Sequence, residues 1–290
     1  MLDSHIDIEK LKKLQFKIMQ DVAAAAVVPL MRIGDQLGLF KKLSELGEVS
    51  SKKFAEEAGV DERYLREWLH AISAAGFVSY NKDDQTFSLS PEQAAVFANE
   101  EGPANMIGAY DVLTGAVHNE KDVLKAFKTG EGVPYEDACP ICFQGTARFF
   151  KPSYQANLIK KWLPLIDGFE EKMNSGGSFA DIGCGHGLST LMVAEAFPSA
   201  KVAGFDIHGP SIDQAKNLAK EASLLDKIEY GEADAKSYEG SYDYIAFFDC
   251  LHDMGDPVGA AKYAFDHLNE GGSVILIEPT ASDSPEDNFN

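Results

Sequence analysis

Phe179-Ala180-Asp181-Ile182-Gly183-Cys184-Gly185-His186-Gly187-Leu188-Ser189-Thr190 is the stretch from which the fold of this chain follows. Ser178 to Ile182 predicts a buried strand, and Leu188 to Ala196 a helix. Between them Gly183, Gly185 and Gly187 stand at alternate positions. Glycine suits such a turn because it accepts positive φ, and because its missing Cβ lets a ligand lie against the backbone. Strand, glycine turn and helix form the first half of a nucleotide-binding crossover. A dinucleotide fingerprint places glycine at its first, third and sixth positions. Counted from Gly183 the sixth residue is Leu188, so that spacing fails. What stands here is acid-x-Gly-x-Gly-x-Gly, led by Asp181. A carboxylate is a poor neighbour for a pyrophosphate and a good one for an ammonium. The plain alternative is a tight turn that binds nothing, and the acids further along argue against it.

Those acids follow in order. Lys201 to Ile207 predicts a second strand carrying Asp206, about twenty residues past the glycines, where a ribose-binding carboxylate belongs. Ile228 to Ala233 predicts a third strand, followed by Asp234 and Ala235. Tyr242 to Asp249 predicts a fourth and Ser273 to Glu278 a fifth, with helices over Ser211–Ser223 and Pro257–Leu268. Alternating strand and helix implies a Rossmann-like, doubly wound parallel sheet covered on both faces. Open α/β sheets bind ligands at the carboxyl ends of their strands, which is where these acids fall.

The chain has 290 residues, enough for two domains with their own cores. Its 45% hydrophobic content is ordinary for a globular protein. No uninterrupted apolar run reaches the ~18 residues of a membrane span; Ala23 to Leu30 comes nearest. Met1-Leu2-Asp3-Ser4-His5 lacks a basic stretch leading into an apolar one, so no secretory leader and a cytoplasmic location are expected. The net charge is −20, with residues 1–100 holding 12 basic against 16 acidic side chains. A negative field of that size repels nucleic acid and anionic membranes. There are 4 cysteines. Cys139-Pro140-Ile141-Cys142 has no second pair to complete a zinc site, and no strand leads into a helix there, so the reading is incidental thiols.

Ile8 to Leu37 predicts a helix whose apolar residues run nearly unbroken from Val22 to Leu30, with a kink or break at Pro29. Further helices are expected over Ile33–Leu46, over a serine-capped segment ending at Gly59, and over Asp61–Ala75 with Tyr64, Leu65, Trp68, Leu69 and Ile72 on its apolar side. Two short strands, Phe77–Tyr80 and Thr86–Leu89, complete a winged helix. Its second helix begins Asp61-Glu62-Arg63-Tyr64-Leu65-Arg66-Glu67, three acids against two arginines, which suits a dimerisation and lid module better than a phosphate-binding face. A helical connector follows, with helices over Asn119–Phe127 and Phe149–Leu163. Its Phe149, Phe150 and Tyr154 read equally as a roof over a ligand or as core.

Asp181–Gly187, Gly204-Phe205-Asp206, Phe248–Pro257, Glu278-Pro279 and Glu286-Asp287-Asn288 together resemble class I S-adenosylmethionine (SAM)-dependent methyltransferases with an N-terminal winged helix. The resemblance runs from about residue 30 onward. It implies a winged-helix domain over 1–100, a connector over 101–174 and a SAM-binding core over 175–290. It implies a cofactor site of Asp181, Gly183, Gly185, Gly187, Asp206, Ile207, Asp234, Ala235 and Asp249, with Asp181 at the amino acid end of SAM, Asp206 at the ribose and Asp234 at the adenine. It implies no metal, and a homodimer paired through the N-terminal helices. Plant-type O-methyltransferases carry a similar Leu-His-Asp at the place of Leu251-His252-Asp253. By that likeness His252 takes a proton from an acceptor hydroxyl and Glu278 orients its imidazole. The family pattern continues past the fifth strand with a helix and a strand hairpin beyond Asn290, so the core is expected to be incomplete. The expected activity is methyl transfer to a small-molecule acceptor; the alternative is a SAM-binding regulatory module without turnover.

Overall fold

The computed structural model describes residues 6–289, so the reading made on Met1–His5 lies outside the described residues. By their contacts the described residues form two compact units, one running to Leu124 and including Cys139–Pro152, the other comprising Lys125–Ala138 and everything from Ser153.

The first unit opens on helix α1 (Ile8–Gln36), capped by the Asp7 carboxylate, which accepts from the amides of Glu9 and Lys10. α1 runs through Pro29 without the expected break. Proline removes one amide donor, and the rest of a 29-residue helix supplies the others. Gly38 then adopts a left-handed conformation and separates α1 from α2 (Leu39–Leu46), where a single helix over Ile33–Leu46 was expected. β1 (Val49–Ser50) leads into α3 (Ser51–Ala58), capped by the Ser50 hydroxyl and closed by left-handed Gly59. α4 (Glu62–Ala74), β2 (Ser79–Asn81), β3 (Thr86–Ser88) and α5 (Pro91–Phe97) follow. The wing is a three-stranded sheet in the order β1-β3-β2, one strand more than the sequence suggested.

Leu65, Trp68, Leu69 and Ile72 of α4 are buried with Met31, Phe40 and Phe54 in this unit's core. Tyr64, expected on the same side, is 81% exposed. The Trp68 indole N–H donates to the Leu30 carbonyl at 2.8 Å, which fixes α4 against α1. α6 (Gly108–His118), α7 (Glu120–Thr129) and α8 (Pro140–Asn157) come next. The Arg148 guanidinium donates to Asp35 and Asp111, and Arg32 also donates to Asp111, tying α1, α6 and α8 by paired charges. In the amino-terminal half of α1 the described residues leave an apolar surface uncovered: Leu14, Phe16, Ile18, Met19 and Val22 are 51–66% exposed. α1 is long and apolar enough, by length and composition only, to cross a membrane. A few charges spread along the helix keep its uninterrupted apolar runs short.

In the second unit the chain leaves α8 through a π-helical turn at Leu158–Trp162, where a regular helix to Leu163 was expected. α9 (Phe169–Asn174), β4 (Ser178–Ile182), α10 (Leu188–Ala196), β5 (Lys201–Asp206), α11 (Gly209–Glu221), β6 (Ile228–Glu232), β7 (Tyr242–Phe248), α12 (Pro257–Asp266) and β8 (Leu268–Ile277) follow. All four pairings of the sheet are parallel, in the order β6-β5-β4-β7-β8. From β4 the chain moves outward to β5 and β6, then returns to β7 on the other side. Right-handed crossovers therefore put α10 and α11 on one face and α12 on the other. This reversal is a topological switch point, where open α/β sheets form their ligand-binding crevice at the carboxyl ends of the flanking strands, here β4 and β7. β7 is buried along its whole length, as a central strand covered on both faces must be.

Candidate active site

Asp181 lies on β4 and is fully buried. One of its oxygens, Oδ2, accepts from the Ser189 hydroxyl at 2.6 Å and the Thr190 hydroxyl at 2.7 Å. Both hydroxyls come from the first turn of α10, so the glycine turn brings strand and helix together around this carboxylate. The other oxygen, Oδ1, is buried without a hydrogen-bond partner. Burial pushes the carboxyl up to about 6, against the pull of the two hydroxyls. A buried carboxylate oxygen without a donor is costly, and a cationic donor would relieve it.

Gly183 and Gly185 both have positive φ, 73° and 53°. A Cβ on Gly183 would fall 2.8 Å from Cys250 Sγ, whereas one on Gly185 would meet nothing within 4 Å. Gly183 is thus required by packing, and the space beside Gly185 is open. Gly187, at φ 74°, leads into α10.

Asp206 at the end of β5 is tied into the same turn. The Gly185 amide donates to Oδ2 and the His208 amide to Oδ1, each at 2.8 Å. Burial raises its carboxyl, while those two amides pull it back. A carboxylate has about four lone-pair sites, so both oxygens keep capacity for further donors. Ile207 beside it is 45% exposed, an apolar surface at the strand end. Asp234 is exposed, and its carboxylate accepts from the Lys236 amide, forming the turn that carries Ala235. Lys236 in turn pairs with Asp256, whose carboxylate caps α12.

Asp249 follows β7 with φ 56°, uncommon for a residue with a side chain. Its amide donates to the Ile277 carbonyl at 2.8 Å, so β8 fixes the entry to the next loop. Leu251–Asp253 is a short 3-10 turn. The carboxylate of Glu278, just past β8, grips it twice: Oε1 accepts from the Leu251 amide at 2.9 Å, and Oε2 pairs with His252 Nδ1 at 2.5 Å. With the Nδ1 proton directed at Glu278, Nε2 is the basic nitrogen of the neutral ring. The hydrogen bond to Glu278 raises the His252 pKa above its ordinary value, more than partial burial lowers it. Asp249, His252 and Glu278 each offer a donor atom within 4.8 Å of the others, a grouping that could also hold a cation.

Three side chains go beyond the sequence reading. Ser189 and Thr190 stand directly after the glycine turn, where two consecutive hydroxyls opening a helix could have signalled partners for the acid. Tyr154 was left undecided. It is 8% exposed, its ring lies 5.9 Å from that of Phe248, and its hydroxyl is raised above the usual range. Burial is the main cause, with the charges of Asp181, Asp249, Cys250 and Glu278 adding to it. Tyr154 thus stands in the electrostatic field of the crevice.

Residues 24–99 match the family described as Rv2258c-like winged HTH domain, and residues 154–289 match the family described as Methyltransferase domain. A methyltransferase ungE' from Aspergillus campestris is 24% identical over 112 residues, 38% of this chain and 30% of that protein. A trans-aconitate 2-methyltransferase from Deinococcus radiodurans is 30% identical over 104 residues, 36% of this chain and 38% of that protein. The chain thus spans about a third of the length of these curated relatives. Among solved structures, the mitomycin 7-O-methyltransferase MmcR superposes with a TM-score of 0.67 at 16% identity, covering 96% of this chain and 84% of that one. Human N-acetylserotonin methyltransferase in complex with SAM gives 0.65 at 16% identity, covering 100% and 84%. The two matches lie in the same order as the two parts of the fold, the winged-helix match first and then the methyltransferase-domain match, whose residues hold the parallel five-stranded sheet.

Proposed function

We propose that this chain is a SAM-dependent methyltransferase acting on a hydroxyl of a small-molecule acceptor. The observation that carries the reading is the buried Asp181 Oδ1, which has no donor and lies in a strand-turn-helix whose Gly185 faces open space. Such a carboxylate fits the ammonium of an amino acid. Asp206 has remaining acceptor capacity for ribose hydroxyls, Ile207 offers an apolar face, and Asp234 with Ala235 belongs to the adenine side. Asp249 completes the cofactor set at the switch point.

When bound, SAM supplies an electrophilic methyl group on a sulfonium. His252 Nε2 takes the proton of the acceptor hydroxyl as that oxygen becomes the nucleophile. Glu278 Oε2 holds the Nδ1 proton, keeps the ring in the productive tautomer and stabilises the imidazolium that forms. Its other oxygen anchors the Leu251 amide and so fixes the loop. General-base assistance of this kind contributes about 10²–10⁴-fold. A SAM-binding module without turnover is the alternative, and an assembled His252–Glu278 pair argues against it.

We also infer a homodimer joined through α1, on the exposed apolar stripe of its first half, in line with a cytoplasmic protein. The winged domain is read as a pairing and lid module. Glu62 pairs with Arg66 across one turn of α4, which offsets one of that helix's two arginines near its start.

The test begins with calorimetric titration of the chain with SAM and S-adenosylhomocysteine. Saturable binding, followed by mass-spectrometric detection of an added methyl group on a phenolic or alcoholic acceptor, is expected. A folded chain that binds neither compound overturns the cofactor reading. Turnover that EDTA abolishes and a divalent ion restores would replace the general base with a cation held by Asp249, His252 and Glu278.

A further inference from the structure

The Cys139-Pro140-Ile141-Cys142 pair reads as incidental in the sequence because it has no second pair and no strand leading into a helix. In the structure a 3-10 turn rather than a strand precedes it, but the pair does open a helix. Pro140 is the first residue of α8, which makes Cys139 the N-cap and Cys142 the third helical residue. The Cys142 amide donates to the Cys139 carbonyl at 2.7 Å, and the Cys139 amide donates to Asn119 Oδ1 at 3.1 Å. N-cap and third residue are the two positions of a capping box, whose side chains reach back toward each other's backbone. Residues three apart on a helix have Cα atoms about 5 Å apart, inside the ~4.4–6.8 Å that a disulfide spans.

The surroundings hold this arrangement. α6 comes so close that a Cβ on Gly115 would lie 2.7 Å from Cys142 Cβ, which pins that residue from behind. Asn119 pins Cys139 from the other end. Both cysteines are half-buried, and neither is in a disulfide. Burial pushes the thiols of Cys184 and Cys250 up, away from the reactive thiolate form.

We propose that Cys139 and Cys142 form a reversible dithiol–disulfide site that takes a small disulfide as its oxidant. One cysteine thiolate attacks a sulfur of the small disulfide. That S–S bond breaks, and one half leaves as a thiolate that picks up a proton. The second cysteine, as its thiolate, then attacks the mixed disulfide and expels the other half, which is also protonated. The pair loses two electrons and two protons, and the small disulfide becomes two thiols. The site is independent of the methyl-transfer reading.

The full chain is incubated with oxidised and reduced glutathione at set ratios, acid-quenched, alkylated and mapped by mass spectrometry. The expected result is loss of two hydrogens from the peptide carrying Cys139 and Cys142, reversed by dithiothreitol, with no adduct on Cys184 or Cys250. The folded chain closes the bridge at a lower oxidised-to-reduced ratio than the urea-unfolded chain. Cys139→Ser, which keeps an N-cap hydroxyl, and Cys142→Ser each trap glutathione on the remaining sulfur. A persistent glutathione adduct on the unsubstituted chain, unreacted thiols throughout, a bridge to another cysteine, or equal closure in urea would each overturn the proposal.

Discussion

Under the proposed function His252 is the general base, and its contact with Glu278 gives the ring its direction. Glu278 occupies Nδ1, and Nε2, with Asp253 Oδ1 3.5 Å away, is the nitrogen that would take a hydroxyl proton. His252→Ala is expected to lower turnover by about 10²–10⁴-fold with SAM affinity unchanged, read by paired kinetics and calorimetry. Glu278→Gln separates orientation from scaffolding. The Glu278 hydrogen bond raises the His252 pKa, so under the proposed function the rising limb of the rate profile lies at higher pH than an isolated histidine would place it. Removing the charge lowers that pKa, so the limb moves to lower pH as the maximal rate falls. A merely structural glutamate would reduce the rate without moving the limb. The linked stability has the opposite sense: His252's contribution is present below its unfolded pKa and fades as pH rises through its folded one. Asp181 gives a second pH signature. Burial pushes it up to about 6, and a bound ammonium requires its charged form. Stability from the protonated group is present below the unfolded value and lost as pH rises through about 6. Cofactor binding offsets that loss. The SAM-induced rise in Tm, followed by scanning calorimetry, should therefore shrink as pH falls through about 6.

At the scale of elements the glycine turn separates packing from ligand contact. A Cβ at Gly183 meets Cys250 Sγ, while one at Gly185 meets open space. Both alanine variants bear the left-handed penalty of roughly 1–2 kcal/mol. Gly183→Ala adds a steric clash, so it should lower Tm more than Gly185→Ala does. Gly185→Ala places its methyl where the ligand would lie and should weaken SAM binding at least as strongly as it lowers Tm. Equal effects of both variants on Tm and affinity would contradict this division. The same turn shows what the sequence made legible: β4 and α10 fall where they were read, because a buried run, a glycine turn and an apolar helix leave one consistent geometry. β8 was read as starting at Ser273 but begins at Leu268. Asn269-Glu270-Gly271-Gly272 has turn composition, yet Leu268 pairs with Tyr242 across a register irregularity. The start of α8 was hidden because Pro140 looks like a breaker, although proline at the first helical position keeps a compatible φ and gives up an amide with no helical partner. The acids of the site could be found by spacing from the glycines. Of the two contacts of Glu278, the one to His252 was implied by the resemblance, and the one to the Leu251 amide was not, because it depends on β8 lying beside β7.

At the scale of the whole molecule, the open question is what covers the first half of α1. Leu14, Ile18 and Val22 recur at four-residue intervals and form one stripe, widened by Met19, while Phe16 faces away from Leu14 and Ile18; all are more than half exposed. The second half of the same helix enters its unit's core through Met31 and Gly34, so α1 is anchored at one end and uncovered at the other. A second copy would bury both stripes at once, since a twofold axis brings a patch against itself. A bilayer is the competing partner, and α1 has the length and composition for it. The charges differ: Lys17 and Asp21 pair at 2.8 Å on this half of the helix and stay more than half exposed, a pattern that suits the rim of a protein interface. The chain is therefore expected to sediment as a dimer without detergent, and Ile18→Glu with Met19→Glu should convert it to a monomer with its SAM affinity kept. The helix carries that charge without unfolding because these positions touch no core. A chain recovered only in the membrane fraction, or a dimer indifferent to both substitutions, would transfer α1 to another partner.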